Sequence, residues 1–146
     1  MTTVDTTTAE DRPRVLQMRL VVETPDYDDA LVFYRDVLGA EQELQVHGEG
    51  GEKVTILQVG RATLELSNPA QVDMIDRVEV GRRVSPRIRV AFEVADAASV
   101  TRDLTDAGAD LIAPPTRTPW DSLNSRLRAP AGLQLTLFEE LNPDVG

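Results

Sequence analysis

The chain has 146 residues, of which 41% are hydrophobic and 27% are charged, and it carries a formal net charge of −10. This length fits one globular domain, no apolar run approaches the roughly 18 residues that cross a bilayer, and the negative charge disfavours nucleic acid, whose binding depends on many lysine and arginine contacts. The absence of cysteine excludes disulfides, thiolate metal sites and a cysteine nucleophile.

Both ends of the chain are predicted to be tails. Residues 1–14 are rich in threonine and acidic side chains, and they lack the apolar run of a secretory signal. We therefore expect a disordered N-terminal tail and a protein of the cytoplasm. Residues 142–146 are expected to form a second tail, which leaves residues 15–141 as a single domain.

The first strand-like segment, residues 17–23, alternates apolar and polar side chains, as does a strand buried on one face. Asp26 follows, placed to cap a helix with its carboxylate. Apolar residues at helical spacing predict that helix from Tyr27 to Leu38, with Val37 on its buried stripe and Gly39 at its end. Three shorter strand-like runs come next, divided by glycine-containing turns, at residues 41–46, 53–58 and 62–67.

The same order of elements recurs in the second half of the chain. Residues 87–93 alternate in the same way, Asp96 is placed as a helix cap, and a helix is predicted from Ala97 to Ala107, ended by Gly108. Three strand-like runs follow, at residues 109–113, 123–128 and 133–138. Between the halves, residues 68–84 predict a linker with a short helix that ends at Gly81.

The repeat predicts an α+β fold of two tandem βαβββ modules, residues 15–67 and 85–141, joined by the linker. In each module, the one helix can cover only one face of the four-stranded sheet. The uncovered faces of the two modules are therefore expected to form one curved mixed sheet that encloses a cup.

Several segments of the chain resemble the vicinal oxygen chelate superfamily, which includes glyoxalase I, bleomycin-resistance proteins and extradiol dioxygenases. The resemblance covers about residues 16–141 and is carried by T-P-D-Y-D-D-A-L-V-F-Y-R-D-V-L-G, by L-E-L-S-N-P, by F-E-V-A-D with the later A-G-A, and by A-P-A-G-L-Q-L-T-L-F. It implies a cup that holds a small molecule, and a homodimer.

Metal enzymes of that superfamily place His or Gln on the first strand of each module and Glu on the last strand. The resemblance puts these positions at Arg19, Glu65, Arg89 and Thr136 in this chain. A guanidinium has no lone pair to offer and repels a cation, and the single histidine, His47, lies outside the pattern. We therefore expect no metal and no other cofactor.

Arg19 and Arg89 are expected to lie near each other in the cup, where two guanidinium groups suit a carboxylate, a phosphate or an enolate. The alternative is that each arginine only neutralises a buried acid, because an unpaired buried charge costs several kcal/mol. Glu23, Glu65 and Glu93 are the available acids. The predicted ligand-binding residues are Arg19, Glu65, Arg89, Trp120, Asn124, Gln134 and Thr136.

Three functions remain open on the sequence alone. The first is metal-free binding or sequestration of a small organic molecule, anionic or aromatic, as in bleomycin-resistance proteins. The second is a lyase, an isomerase or a dioxygenase-type enzyme of the same superfamily that uses Glu65 as a base or a metal ligand. The third is an interaction module whose cup is filled by its own side chains. The pattern also leaves open whether the two modules pair within one chain or between two.

Overall fold

The computed structural model describes residues 14–142, so most of both predicted tails lies outside the described part of the chain. The strands are β1 (Val15–Glu23), β2 (Glu41–His47), β3 (Lys53–Val59), β4 (Ala62–Ser67), β5 (Ile88–Val94), β6 (Asp110–Arg117), β7 (Ser122–Arg128) and β8 (Gln134–Glu140). The α-helices are α1 (Tyr27–Leu31), α2 (Pro69–Glu79) and α3 (Ala97–Asp106).

The eight strands form one curved, unclosed sheet in the order β2-β3-β4-β1-β5-β8-β7-β6. Within each half the first strand runs parallel to the last, as β1 does to β4 and β5 to β8. The two halves join where β1 pairs antiparallel with β5. The predicted fold of two βαβββ modules is confirmed, and the modules pair within one chain.

Side-chain alternation on the strands separates the two faces of the sheet. On one face, α1 and α3 each bury apolar residues against their own half of the sheet, so two separate cores form. The first core contains Tyr27, Leu31, Ala40, Leu57 and Leu66, and the second contains Val94, Ala97, Leu127 and Leu137. On the other face, Val21, Ala91 and Phe138 form a small cluster where the halves meet.

The two predicted helix caps differ. The Asp96 carboxylate accepts a hydrogen bond of 3.0 Å from the Ser99 N–H, as predicted. The prediction was wrong for Asp26, whose side chain makes no capping bond. Its backbone angles are φ −93° and ψ 57°, whereas Asp96 has the extended backbone that directs a capping side chain towards the helix amides.

The first predicted helix changes its geometry half-way along. It is an α-helix over Tyr27–Leu31 and a π-helix over Val32–Val37, where Leu38 N–H donates to Phe33 O. Spacing of 3.6 residues no longer holds in a π-turn. The predicted apolar stripe is therefore wrong at its C-terminal end, because Val37 and Leu38 are exposed.

The linker contains the short helix that the sequence predicts. The helix α2 begins after Asn68, whose side-chain oxygen accepts a hydrogen bond of 2.9 Å from Gln71 N–H. It is followed by Gly81, which has a positive φ of 89°. No helix in residues 14–142 is long and apolar enough to cross a membrane.

Candidate functional site

A cavity of about 430 Å³ lies on the face of the sheet that the helices α1 and α3 leave uncovered. Both halves of the sheet line it, and α2 forms a further wall. Its rim includes the exposed residues Gly48, Trp120 and Glu140, whereas Val21, Arg89 and Thr136 at its floor are buried. The linker helix is therefore part of the cup.

The two halves supply different walls to this cavity. The first half and α2 contribute mostly apolar side chains, namely Leu44, Val46, Val54, Ile56, Met74 and Ile75. The second half contributes the polar residues Arg89, Ser122, Asn124 and Thr136, together with the apolar Ala91, Trp120 and Phe138. A ligand in the cup thus meets an apolar wall from the first half and α2, and polar groups from both halves.

The four positions predicted by resemblance to metal enzymes converge on the cavity. Arg19, Glu65, Arg89 and Thr136 all line it. Pairing of β1 with β4 and with β5 sets Glu65 and Arg89 on either side of Val21. The strands therefore hold these side chains around the junction of the two halves.

Arg19 is fixed by three neighbours. Its Nη1 lies 3.9 Å from Glu65 Oε1, and its Nε donates a 3.1 Å hydrogen bond to Gln17 Oε1. Its guanidinium also lies over the ring of Phe138, 5.0 Å from the centroid, at a distance typical of a cation–π contact. Arg19 therefore has a carboxylate partner inside the protein, but only its Nε–H makes a hydrogen bond within residues 14–142.

Arg89 differs because no carboxylate in residues 14–142 lies within 4.0 Å of it. The residue is only 6% exposed, and its Nη1 donates one hydrogen bond of 2.6 Å to Thr136 Oγ1. Burial lowers the pKa of Arg89, and the nearby positive charge of Arg126 lowers it further. A guanidinium nevertheless stays protonated, so Arg89 presents a cation with unused donors to the cavity.

The other two candidate acids, Glu23 and Glu93, form no ion pair with Arg19 or Arg89. Glu23 accepts hydrogen bonds of 2.7 Å from Arg83, which also contacts Asp73. Glu93 makes no ion pair with any residue in the described part of the chain. Burial, and next the negative charge of Glu140, raises the pKa of Glu93.

Trp120 and Asn124 line the cavity, whereas Gln134 does not. Trp120 is half-exposed on a turn that Thr118 N–H closes by donating to Ser122 O at 2.8 Å. Asn124 is buried, and its Nδ2 donates to Glu79 Oε2 at 2.8 Å. The Gln134 amide accepts from Arg126 and donates to Val84 O, so we leave it out of the proposed site.

The sequence reasoning missed a buried arginine next to the site. Arg126 is 0% exposed, and its guanidinium donates to Asp76 Oδ1 at 2.9 Å and to Glu79 Oε1 at 2.7 Å. These acids are three residues apart on α2 and therefore share a helix face. Asn124 and Arg126 are two residues apart on β7, so their side chains point to the same face of the sheet. This alternation could have indicated the contact from the sequence.

Asp76 accepts hydrogen bonds from several directions. The Ser85 hydroxyl donates at 2.6 Å, and the backbone N–H groups of Val84 and Ser85 donate at 2.8 Å. Burial raises the pKa of this carboxyl, but the hydrogen bonds and the charge of Arg126 outweigh it and lower the pKa of Asp76 to about 2. Asp76 is therefore an anion that joins α2 to β7 and to the segment before β5.

The donor set at the four converging positions does not fit a divalent metal. Glu65 is the single carboxylate among them, and the two guanidinium groups repel a cation. Within residues 14–142, no group of three or more His, Cys, Asp or Glu side chains is placed to hold a metal ion. We derive no chemistry through a metal at this site.

The family model of the Glyoxalase/Bleomycin resistance protein/Dioxygenase superfamily matches residues 17–137. The chain belongs to this superfamily. The match confirms the family resemblance predicted from the sequence.

Solved structures of other superfamily members share the fold. Methylmalonyl-CoA epimerase from Mycobacterium tuberculosis is 20% identical, with a TM-score of 0.65 over 90% of this chain and 92% of that chain. A superfamily member from Vibrio splendidus 12B01 is 11% identical, with a TM-score of 0.62 over 85% and 98%. Streptomyces coelicolor methylmalonyl-CoA epimerase in complex with 2-nitronate-propionyl-CoA is 22% identical, with a TM-score of 0.58 over 87% and 96%. No curated protein sequence gives a significant match.

Replacing Arg126 with methionine should lower the free energy of unfolding by about 3–5 kcal/mol, because Glu79 would stay buried without an ion-pair partner and Asp76 would keep only Arg83, whose Nη1 lies 3.4 Å from its Oδ2. Urea denaturation measures this. Arg128→Met is the matched control, since Arg128 is exposed on the same strand and should change stability by less than about 0.5 kcal/mol. Equal effects of the two substitutions would show that the buried contact contributes nothing.

Stability should also fall in acid because of Asp76. Its folded pKa of about 2 lies below the ordinary value of 3.8, so its contribution is fully present above about pH 4 and is lost as the pH falls towards 2. The contribution is up to about 2 kcal/mol. Urea titrations between pH 2 and 6 should show a shallower slope for Asp76→Asn than for the exposed control Asp110→Asn, and an unchanged slope would contradict the assignment.

Proposed function

We propose that the protein binds a small organic anion in the cup without a metal. The observation that carries this proposal is Arg89, a buried guanidinium with one internal hydrogen bond and no carboxylate within 4.0 Å in residues 14–142. An unpaired buried charge costs several kcal/mol. A bound carboxylate or phosphate would offset that cost through charge-assisted hydrogen bonds.

The apolar wall favours an anion with a flat or hydrocarbon body. Trp120 at the rim offers a large indole face, and Met74 and Ile75 of α2 lie on the same cavity. The volume of about 430 Å³ falls in the range of ordinary small-molecule sites. Aromatic carboxylates combine both features, so they are the ligand class to test first.

The open cavity argues against the interaction module, since its own side chains leave this volume unfilled. The homodimer, the cytoplasmic location and the absence of nucleic-acid binding stay predictions.

Substitution of Arg89 tests the proposal. Trp120 is the only tryptophan, so its fluorescence should report the binding of benzoate, 2-naphthoate and their phosphate and neutral amide analogues. Arg89→Met should weaken anion binding at least tenfold, because a charge-assisted hydrogen bond contributes about 1.5–3 kcal/mol. The amides should bind weakly to both proteins.

Arg87→Met is the matched control, because Arg87 is exposed, lies outside the cavity and precedes β5 by one residue. It should leave anion affinity unchanged. If Arg89→Met instead retains full affinity and loses only stability, the arginine serves internal charge balance and the proposed function fails.

A second candidate is proton transfer at carbon, favoured by the position of Glu65. Its carboxylate lines the cavity, lies across Val21 from Arg89, and accepts no hydrogen bond from residues 14–142. It could take a proton from carbon next to a carbonyl, while the C–H electron pair forms the C=C bond of an enolate and oxygen takes the charge. Arg89 or Arg19 would stabilise that oxygen.

Hydrogen exchange tests this candidate. Structures of the same fold include methylmalonyl-CoA epimerases, so methylmalonyl-CoA is the first substrate to test. When the protein is incubated with it in D₂O, mass spectrometry should detect a gain of one deuterium in the thioester. Glu65→Gln should reduce the exchange rate at least a hundredfold if Glu65 is the base. The exposed control Glu41→Gln should exchange at the wild-type rate. Wild-type protein that gives no exchange above buffer would remove this candidate for that thioester.

A further inference from the structure

Gln71 is a buried polar residue on the cavity whose side chain makes no hydrogen bond within residues 14–142. The residue is only 8% exposed, and it lines the cavity from the first turn of α2. Its side-chain amide forms no hydrogen bond with residues 14–142, and neither of its polar atoms is sealed from solvent. The amide therefore presents one acceptor and two donors to the cup.

The start of α2 explains why this amide is free. Gln71 occupies the third helical position after the cap Asn68, where a glutamine side chain ordinarily reaches back to the backbone N–H of the cap residue. Here that N–H already donates to Lys53 O at 3.0 Å. The Asn68 side chain in turn accepts from Gln71 N–H and Lys53 N–H. The cap is complete without the glutamine amide.

The cavity-facing residues of α2 change in polarity along the helix axis. Gln71, Ile75 and Glu79 are four residues apart and share this face, so Gln71 and Glu79 are separated by roughly 12 Å along the helix. Glu79 marks the end nearer Arg89, because it binds Asn124 on the polar wall and its charge acts on Arg89. Apolar Met74 and Ile75 lie between the two ends.

We propose that Gln71 is a binding residue that recognises an amide-like group of the ligand. The group presents a donor beside an acceptor, as a carboxamide, a lactam or an imide does, and pairs with the donor and acceptor of the glutamine side chain. This inference rests on the proposed function, in which Arg89 holds an anionic group. The ligand class is thus an anion and an amide at opposite ends of an apolar, aromatic body.

Matched pairs of aromatic carboxylates test the inference. The probes are 4-carbamoylbenzoate, 6-carbamoyl-2-naphthoate and 4′-carbamoylbiphenyl-4-carboxylate, which cover three lengths. Each is compared by calorimetry with the acetyl analogue, in which a methyl group replaces the amide NH₂. At the fitting length, wild-type protein should bind the carbamoyl compound about tenfold more tightly, since the acetyl compound leaves the Gln71 oxygen unpaired.

The variants separate the two binding groups. Gln71→Met should remove the carbamoyl preference and keep the affinity for the acetyl compound within about threefold, whereas Arg89→Met should weaken both compounds at least tenfold. Gln58→Met is the control, because Gln58 is exposed and lies outside the cavity. The denaturation midpoint of Gln71→Met should match the wild type, since the amide makes no internal hydrogen bond.

The possible failures are distinguishable. If carboxylates bind through Arg89 but wild-type protein shows no carbamoyl preference at any length, the role of Gln71 is overturned and the proposed function stands. If no carboxylate binds, the proposed function fails and the inference fails with it. The absence of a carbamoyl preference in the wild-type protein would overturn the inference even if Gln71→Met does not fold, and a preference that folded Gln71→Met retains would overturn it as well.

Discussion

The ion contacts of Arg126 hold the cup together. This guanidinium is fully buried on β7 and binds two carboxylates of α2, Asp76 and Glu79, at 2.9 and 2.7 Å. Without Arg126, Glu79 would be buried with no ion-pair partner in residues 14–142, and Asp76 would keep only the more distant Arg83. Since α2 forms one wall of the cavity, the shape of the site depends on a contact outside its polar floor.

The two arginines at the cavity floor occupy equivalent places in the repeat but have different surroundings. Arg19 is held by Glu65, by Gln17 and by the ring of Phe138, whereas Arg89 has only Thr136. The sequence offered two interpretations for both residues, either ligand binding or neutralisation of an acid. Arg19 has a carboxylate within 4.0 Å and Arg89 has none in residues 14–142, so the two equivalent positions of the repeat differ in their electrostatic surroundings.

Strand alternation and the repeat predicted the fold, and the resemblance to the superfamily selected the positions at the floor of the site. Because side chains alternate with a period of two, Arg19 and Arg89 were expected on the face opposite to the apolar residues beside them. The role of α2 could not be predicted in this way, since its contacts with β7 join residues far apart in the chain. The same holds for Gln134, whose amide is used by Val84 and Arg126, and for the π-turn, which leaves Val37 and Leu38 exposed.

The division of the cavity walls between the halves has an evolutionary consequence. Leu44, Val46 and Ile56 belong to one module, whereas Asn124 and Thr136 belong to the other. Substitutions at these apolar positions would change the width or length of the pocket and leave Asn124 and Thr136 in place. The shape of the apolar wall and the polar groups of the second module can therefore change separately.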